Sequence, residues 1–216
     1  MAKLTRRFVE PTNPTSISAR ARRGRWTKLI ATFPSLSDMH VLDLGGTPAF
    51  WESAPVKPEH VTLVNVSSFP SSPSITALQG DACAPPASVV STEFDLVVSN
   101  SLIEHVGGHA QRTRLAHVIR DAAPRHWVQT PYRYFPIEPH WLFPGLQFLP
   151  FAARVEITTH WKLGHRFTSN RQEAIDSVHE VDLLGLCQMS DYFPDSIIWR
   201  ERFGGLIKSM VAIRSE

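Results

Sequence analysis

Cysteine is almost absent from this sequence. Only Cys83 and Cys187 occur, far apart and with no companion at metal-ligand spacing. Neither a disulfide framework nor a zinc site is expected, and the chain reads as a reduced, cytoplasmic protein. No apolar run approaches the roughly eighteen residues of a membrane span. No apolar h-region accompanies the basic N-terminus, which excludes a secretory signal. Net charge at pH 7 is only +2, so the field of the whole chain singles out no polyanionic partner. Also missing is the G-x-G-x-x-G spacing that a dinucleotide pyrophosphate requires.

What charge there is lies unevenly. Lys3, Arg6, Arg7, Arg20, Arg22, Arg23, Arg25 and Lys28 crowd the N-terminus, with Glu10 the only acid among them. Such a run suits a transit-like segment, a nucleic-acid arm or the solvated face of a helix. Trp26, Leu29, Ile30 and Phe33 favour the last, because their i, i+3, i+4, i+7 spacing makes one apolar stripe that packs inward and leaves the arginines outside.

Short apolar runs bounded by turn residues read as buried strands: Val41–Leu44, Val61–Val66, Ile75–Gln79, Phe94–Ser99 and Trp127–Thr130. Between the last two, Leu115, Val118, Ile119 and Ala122 share one face of an amphipathic helix. Ile197–Arg202 and Leu206–Arg214 flank Gly204-Gly205 and read as a hairpin. Strands alternating with other segments and ending in a hairpin imply a mostly parallel α/β sheet with an antiparallel strand at one side. The short connection Ser67–Ser74, with Pro70 and Pro73, leaves little room for a crossover helix and is read as a tight loop.

Tyr132–Phe167 has another character. Nine of the chain's 21 aromatics fall there, and Pro136, Pro139, Pro144 and Pro150 preclude one long helix. It is read as an aromatic, proline-rich lid with its own small core, following the fifth strand. One domain, 1–216, accommodates everything: arm and helix over 1–37, a cofactor-binding core over 38–131, the lid over 132–170, and a C-terminal helix and hairpin over 171–216.

The decisive stretch is Val41-Leu-Asp-Leu-Gly-Gly-Thr-Pro-Ala-Phe-Trp51. Gly45 and Gly46 are adjacent, and Thr47 and Pro48 fit the N-cap and first position of a helix. That turn leaves a few free N–H groups, which suits one carboxylate better than a pyrophosphate. Gln79-Gly-Asp-Ala82 follows the third strand, and Phe94-Asp-Leu-Val-Val-Ser-Asn-Ser-Leu-Ile-Glu-His-Val106 spans the fourth. In order and separation these segments resemble the class I S-adenosylmethionine-dependent methyltransferases, in particular the small "type 11" group. The match runs from about residue 38 to 131. The closing hairpin, from Phe193-Pro to Arg214, is similar as well.

The resemblance implies a single Rossmann-like, mostly parallel seven-stranded sheet with helices on both faces, and S-adenosyl-L-methionine as cofactor. Asp43 and the Gly45–Thr47 backbone would hold the methionine end. Asn65 and Val66 stand at the end of the second strand, where the family normally offers Asp or Glu to the ribose. Asp81 would accept from the adenine amino group, with the Ala82 N–H facing the ring, and Ser99 and Asn100 would border the sulfonium. Each has a local alternative: Asp43 capping a turn, Asp81 forming an Asx-turn, Asn100 serving ordinary loop chemistry.

Methyl transfer from a sulfonium is an in-line displacement on an already activated donor. Positioning can supply roughly 7–11 kcal/mol, and a general base adds about 10²–10⁴-fold only if the acceptor must lose a proton. His105, beside Glu104, is the nearest candidate catalytic base, with His140 and Glu138 in the lid as second choices, and Glu104–His105 is equally an orienting pair. Tyr132, Arg133, Tyr134 and Trp141 are candidate substrate contacts at the pocket mouth. No Asn/Asp-Pro-Pro-Tyr segment follows the fourth strand, which weighs against planar amino nitrogens as acceptors. The aromatic lid favours a small or medium-sized organic acceptor, with O-methylation first. The basic N-terminus keeps an RNA acceptor as an alternative, although no aromatic-basic recognition module accompanies it. A non-catalytic binding or scaffold member is the third reading. No clustered carboxylates mark a Mg²⁺ site, and no metal is expected.

Overall fold

The computed structural model describes residues 17–216; of the basic residues noted above, Lys3, Arg6 and Arg7 lie outside the described residues. Seven strands form the main sheet: β1 His40–Leu44, β2 His60–Asn65, β3 Ile75–Gln79, β4 Leu96–Asn100, β5 Arg125–Pro131, β8 Ile197–Phe203 and β9 Leu206–Arg214. A two-stranded pair, β6 Ile137–Glu138 and β7 Phe143–Pro144, lies in the lid. The helices are α1 Ile17–Thr32, α2 Pro48–Glu52, α3 Ala87–Val90, α4 His109–Ala122, α5 Phe151–His160, α6 Arg171–His179 and α7 Leu186–Tyr192.

Strand order is β3-β2-β1-β4-β5-β9-β8. The first five run parallel, and β9 is antiparallel to both β5 and β8. The expected mostly parallel sheet with its terminal hairpin is therefore observed. The parallel strands are nearly continuous in apolar residues because both faces are covered. Leu42, Leu44, Val64, Val97 and Val128 point to the face of α4 and α7, where Leu115, Ile119 and Met189 meet them. Val41, Leu63, Leu96, Val98 and Trp127 point to the other face, which α1 and α2 close with Trp26, Leu29, Phe33 and Trp51. The period-two alternation of the strands thus divides the core in two.

The connection from β2 to β3 is the tight loop its prolines suggest. Val61 pairs in parallel with Ile75, and no helix intervenes. Polar groups are satisfied locally instead, as buried or constrained backbone requires. Asn65 Oδ1 accepts from the Ser67 N–H (2.9 Å), Ser71 Oγ from the Ala77 N–H (3.0 Å), and Gln79 Nε2 donates to the Val66 carbonyl (3.0 Å). At the other end of the chain, Gly204 and Gly205 have φ of 56° and 83°. Two successive positive φ values make the type I′ turn that joins β8 to β9.

The apolar stripe on α1 behaves as its spacing implies. Trp26, Leu29 and Phe33 are buried, while Arg20, Arg23 and Lys28 are exposed. Trp26 stacks on Phe50 at 4.7 Å between centroids and meets Trp51 edge-on at 5.7 Å. Arg25 reaches the buried Glu201 on β8 at 3.1 Å. The lid has a core of its own, built from Trp141, Leu146, Val155, Ala174, Val178, Val181 and Leu183. That cluster takes in α6, so the lid as a packed unit runs past residue 170 to Leu183. Asn170 caps α6, its side chain accepting from the Gln172 and Glu173 N–H groups.

Trp26 closes one face of the sheet and also supports the helix that follows the glycine turn. Trp26→Ala should therefore lower unfolding stability by about 3 kcal/mol or more, read from urea denaturation. A loss under about 1 kcal/mol would mean that α1 is only loosely attached.

Candidate functional site

Ligands of open α/β sheets bind beyond the carboxyl ends of the strands, and the glycine turn stands there. Gly45 has φ of +83°, a left-handed conformation natural to glycine, and its N–H donates to Val64 O at 2.8 Å. A Cβ on Gly45 would lie 2.8 Å from Leu102 Cδ1, and one on Gly46 only 1.8 Å from Asp43 Oδ2. The two adjacent glycines are thus required for different reasons: conformation and Leu102 for the first, the approach of Asp43 for the second. Thr47 holds the N-cap position of α2 and Pro48 its first turn, but the Thr47 hydroxyl makes no capping bond.

Asp43 is fully buried, and its Oδ2 accepts from Trp51 Nε1 at 2.7 Å. Its Oδ1 has no hydrogen-bond partner among the described residues. Burial raises its pKa to about 7, against the opposing pull of the Trp51 hydrogen bond. Asn65 is committed to the same turn. Its Nδ2 donates to Gly45 O (3.1 Å) and Gly46 O (2.9 Å), and its Oδ1 is taken by Ser67. An Asp in this position would have no hydrogens to give those carbonyls. This accounts for the amide where the resembling family carries an acid.

The other strand-end residues divide into supports and free groups. Ser99 is buried and donates to Leu44 O at 3.1 Å, tying β4 to β1 from behind. Val66 is 72% exposed and faces solvent. Asp81 is exposed and forms the Asx-turn, with Oδ1 accepting the Cys83 N–H at 2.8 Å. Ala82 is buried behind it. Asn100 is half-buried and borders a crevice shared with Arg25, Trp26, Phe50 and Trp127. Next to it Ser101 adopts φ of 52°, held by Gln129 through backbone and side chain (2.9 and 3.2 Å). Neither Ser101 nor Gln129 stands out in the sequence; only the apolar run ending in Ser-Asn-Ser points near them.

A polar cluster lies where the turn after β4 meets the lid. Glu104 is buried; its Oε2 accepts from Thr130 Oγ1 at 2.8 Å, and its Oε1 has no hydrogen-bond partner among the described residues. Burial pushes its carboxyl above the ordinary range, against its own backbone N–H and the Thr130 hydroxyl. His105 and His140 meet through their Nε2 atoms at 3.2 Å. Burial, then the neighbouring His140, lowers His105 to about 4. His140 Nδ1 pairs with Glu138 Oε1 at 2.7 Å, and Glu138 Oε2 accepts the Trp141 N–H at 2.8 Å. The two candidate bases are therefore one assembly with two carboxylates. A carboxylate oxygen of Glu104 and ring nitrogens of both histidines lie within 4.8 Å of one another. The expectation of no metal rested on cysteine and carboxylate spacing, which gives no view of Glu104, His105 and His140 brought together by folding.

The candidate substrate contacts scatter. Trp141 is buried in the lid core. Tyr134 is 61% exposed and stacks on Phe148 at 6.0 Å. Tyr132 is half-buried beside it at 5.5 Å between centroids. Arg133 lies 3.8 Å from Asp182 and close to Gln147, Arg154 and Glu138 around a small polar crevice inside the lid. A wide surface groove, lined by His40, Glu93, Asp95, Arg120 and Arg214 among others, opens at the amino ends of the parallel strands. It lies opposite the glycine turn and is not the site that the turn belongs to.

No protein-family model matches the chain, and no curated protein matches it. Solved structures do. An S-adenosylmethionine-dependent methyltransferase from Anabaena variabilis superposes with a TM-score of 0.54 at 13% identity, over 87% of this chain and 82% of the other. The N-methyltransferase NodS from Bradyrhizobium japonicum, in complex with S-adenosylhomocysteine, gives 0.53 at 12% identity over 99% of this chain and 97% of its own. The 1,6-didemethyltoxoflavin-N1-methyltransferase of Burkholderia thailandensis gives 0.53 at 12%, covering 91% and 79%. At such identities the likeness is one of fold. With the observed strand order and terminal hairpin, the chain has the fold of the class I S-adenosylmethionine-dependent methyltransferases.

Two outcomes test the geometry of the turn. Asn65→Asp removes both donors to the glycine carbonyls and sets a charge against them, so stability should fall by about 1–3 kcal/mol in urea denaturation. An unchanged midpoint would mean that the amide does not hold the turn. Asp43 supplies a pH test. Its native pKa of about 7 exceeds the ordinary 3.8, so between these values the native state holds a proton that the unfolded chain releases. Its stabilising contribution is complete below pH 3.8 and is lost as pH rises through about 7. His105 and His126, both lowered to about 4, act in the opposite sense below about 6.5. The comparison is therefore between wild type and Asp43→Asn. Subtracting the two Tm profiles should leave a wild-type decline up to about pH 7; parallel profiles would contradict it.

Proposed function

We propose that this chain is an S-adenosylmethionine-dependent methyltransferase acting on a small or medium-sized organic acceptor, with oxygen as the methylated atom. The observation that carries the reading is the gathering of the glycine turn, Asp81 and Asn100 at the carboxyl ends of successive parallel strands in a class I methyltransferase fold. Two of the similar structures hold S-adenosylhomocysteine, which supports the same cofactor here. The free N–H groups of the turn are suited to the carboxylate of its methionine end, as oriented backbone donors are to anions. Asp43, beneath Gly46, gives the ammonium group a carboxylate whose Oδ1 is otherwise unpartnered. Asp81 keeps Oδ2 for the adenine amino group, and Asn100 with its neighbour Ser101 borders the sulfonium.

In this reading the donor supplies the activated methyl group, and the protein aligns the acceptor lone pair with the S–CH₃ bond. An oxygen acceptor must shed a proton, and Glu104, His105 and His140 are the groups at the lid junction able to take or route one. Arg133 and Arg154 around the lid crevice suit an acceptor bearing a carboxylate. A second reading has one observation in its favour. Asn65, and half of the Asp43 carboxylate, are already consumed inside the protein, as in a binding member without donor affinity.

Titration with S-adenosylhomocysteine separates the two. The methyltransferase reading expects saturable heat and a raised Tm, with Asp81→Ala binding about tenfold or more weakly, the worth of a hydrogen bond to a charged group. No heat and no Tm shift at millimolar ligand would sink the reading. An unaltered affinity in Asp81→Ala would move the adenine elsewhere.

A further inference from the structure

We infer that Glu104, His105 and His140 form a site for one divalent transition-metal ion, of the kind zinc occupies, at the junction of sheet and lid. The argument starts with the histidine tautomers. His140 Nδ1 lies 2.7 Å from the Glu138 carboxylate, and His105 Nδ1 lies 3.3 Å from the Glu180 backbone carbonyl. Both partners accept, so each ring carries a proton on Nδ1, and when neutral it presents a bare lone pair at Nε2. The two Nε2 atoms lie 3.2 Å apart. With both rings neutral that contact is repulsive unless a cation, a metal ion or a further proton, lies between them.

Three further observations favour a metal ion. Two nitrogens bound at about 2.0–2.1 Å to one tetrahedral ion stand about 3.3 Å apart, close to the 3.2 Å found here. A third donor is present, because the Glu104 carboxylate belongs to the same cluster and its buried Oε1 has no other partner. Outer partners are in place too. Metal-ligating histidines usually donate their second N–H to a carboxylate or backbone carbonyl, and these two have one of each. Glu138 is in turn held by the Trp141 N–H.

Two imidazoles and a carboxylate suit zinc and its transition-metal neighbours far better than magnesium or calcium, which prefer oxygen. Three protein ligands leave at least one position for water or substrate. Resting on the methyltransferase reading, the natural occupant is the acceptor oxygen, which a bound ion would acidify so that its proton passes to solvent water, the three ligands being then occupied by the ion. The ion would also join the turn after β4 to the lid.

The test uses the full chain, stripped with a chelator and dialysed. Zn²⁺ is titrated by calorimetry and Co²⁺ by visible absorption, both without S-adenosylmethionine. One equivalent should bind in the low micromolar range or tighter, with a raised Tm and ligand-field bands for Co²⁺. Mg²⁺ should leave Tm unmoved. Glu138→Gln, which keeps the packing, should weaken Zn²⁺ binding about 10–100-fold, and His140→Ala should abolish the Co²⁺ bands, circular dichroism confirming that both fold. Absent binding in the wild type, or binding that His140→Ala and Glu138→Gln leave unaltered, overturns the proposal. So does a proton shared between the two rings, seen by NMR and undisturbed by added Zn²⁺. Zn²⁺ bound without any S-adenosylhomocysteine affinity keeps the metal site and removes the methyltransferase role; the converse result removes the metal alone.

Discussion

The backbone of Gly46 rests on the carboxylate of Asp43 so closely that a single added carbon would lie 1.8 Å from Oδ2. Much of the site end of the sheet follows from that contact. The carboxylate is buried and must be satisfied, and Trp51 does this from the first helix after the turn. The Trp51 ring is then fixed, and Phe50 and Trp26 pack around it, which brings α1 onto the sheet. The turn carbonyls need donors, and Asn65 supplies both from the neighbouring strand. One close approach therefore links β1, β2, α1 and α2. Burying a carboxylate costs free energy unless it is hydrogen-bonded, and here only one of its two oxygens is.

That cost has a functional consequence on the methyltransferase reading. A half-satisfied buried carboxylate is a poor structural element but a prepared partner for a cation. An ammonium group reaching Oδ1 would relieve the desolvation that now holds Asp43 near neutrality. Asn65 differs, because its donors and Oδ1 are already engaged in bonds that shape the turn. On that reading the turn would be built in advance at the expense of one ribose contact, leaving polar recognition of the cofactor to Asp81 and Asn100. Preorganisation and direct contact compete for the same side chain at that position, and the structure resolves the competition in favour of the turn.

Elements set by local pattern were legible in the sequence. Apolar runs of four to six residues gave the parallel strands, the stripe on Trp26, Leu29 and Phe33 gave α1, and Gly204-Gly205 gave the hairpin. The tight loop after β2 followed from its prolines. Less could be read where side chains meet across long separations. Ser99 faces inward to Leu44 because its strand register demands it. Trp141 is core because α6 folds back over it, and that is a fact about packing rather than spacing. Thr47 has a capping residue's identity, yet its hydroxyl caps nothing. Adjacent Glu104 and His105 drew attention as a pair. His140 and Glu138 stood out only as separate second-choice bases, and their meeting with that pair was invisible, since they arrive from a lid whose path composition does not determine.

The lid and the sheet meet largely on that one turn. The Asp182 N–H donates to Glu104 O at 3.0 Å, His105 reaches Glu180 O, and the buried Arg112 of α4 binds Asp182 through both its carbonyl and its carboxylate. His140 joins from the other end of the lid. Backbone and side chains of Glu104–His105 are thus bonded to both packed units, and the Thr130 hydroxyl fixes Glu104 to the end of β5. A group placed between His105 and His140 acts on both units at once. Through Glu104 it would also be tied to the end of β5, where the Thr130 hydroxyl holds that carboxylate. A metal ion bound there would therefore join the sheet to the lid through the same three side chains that bind it.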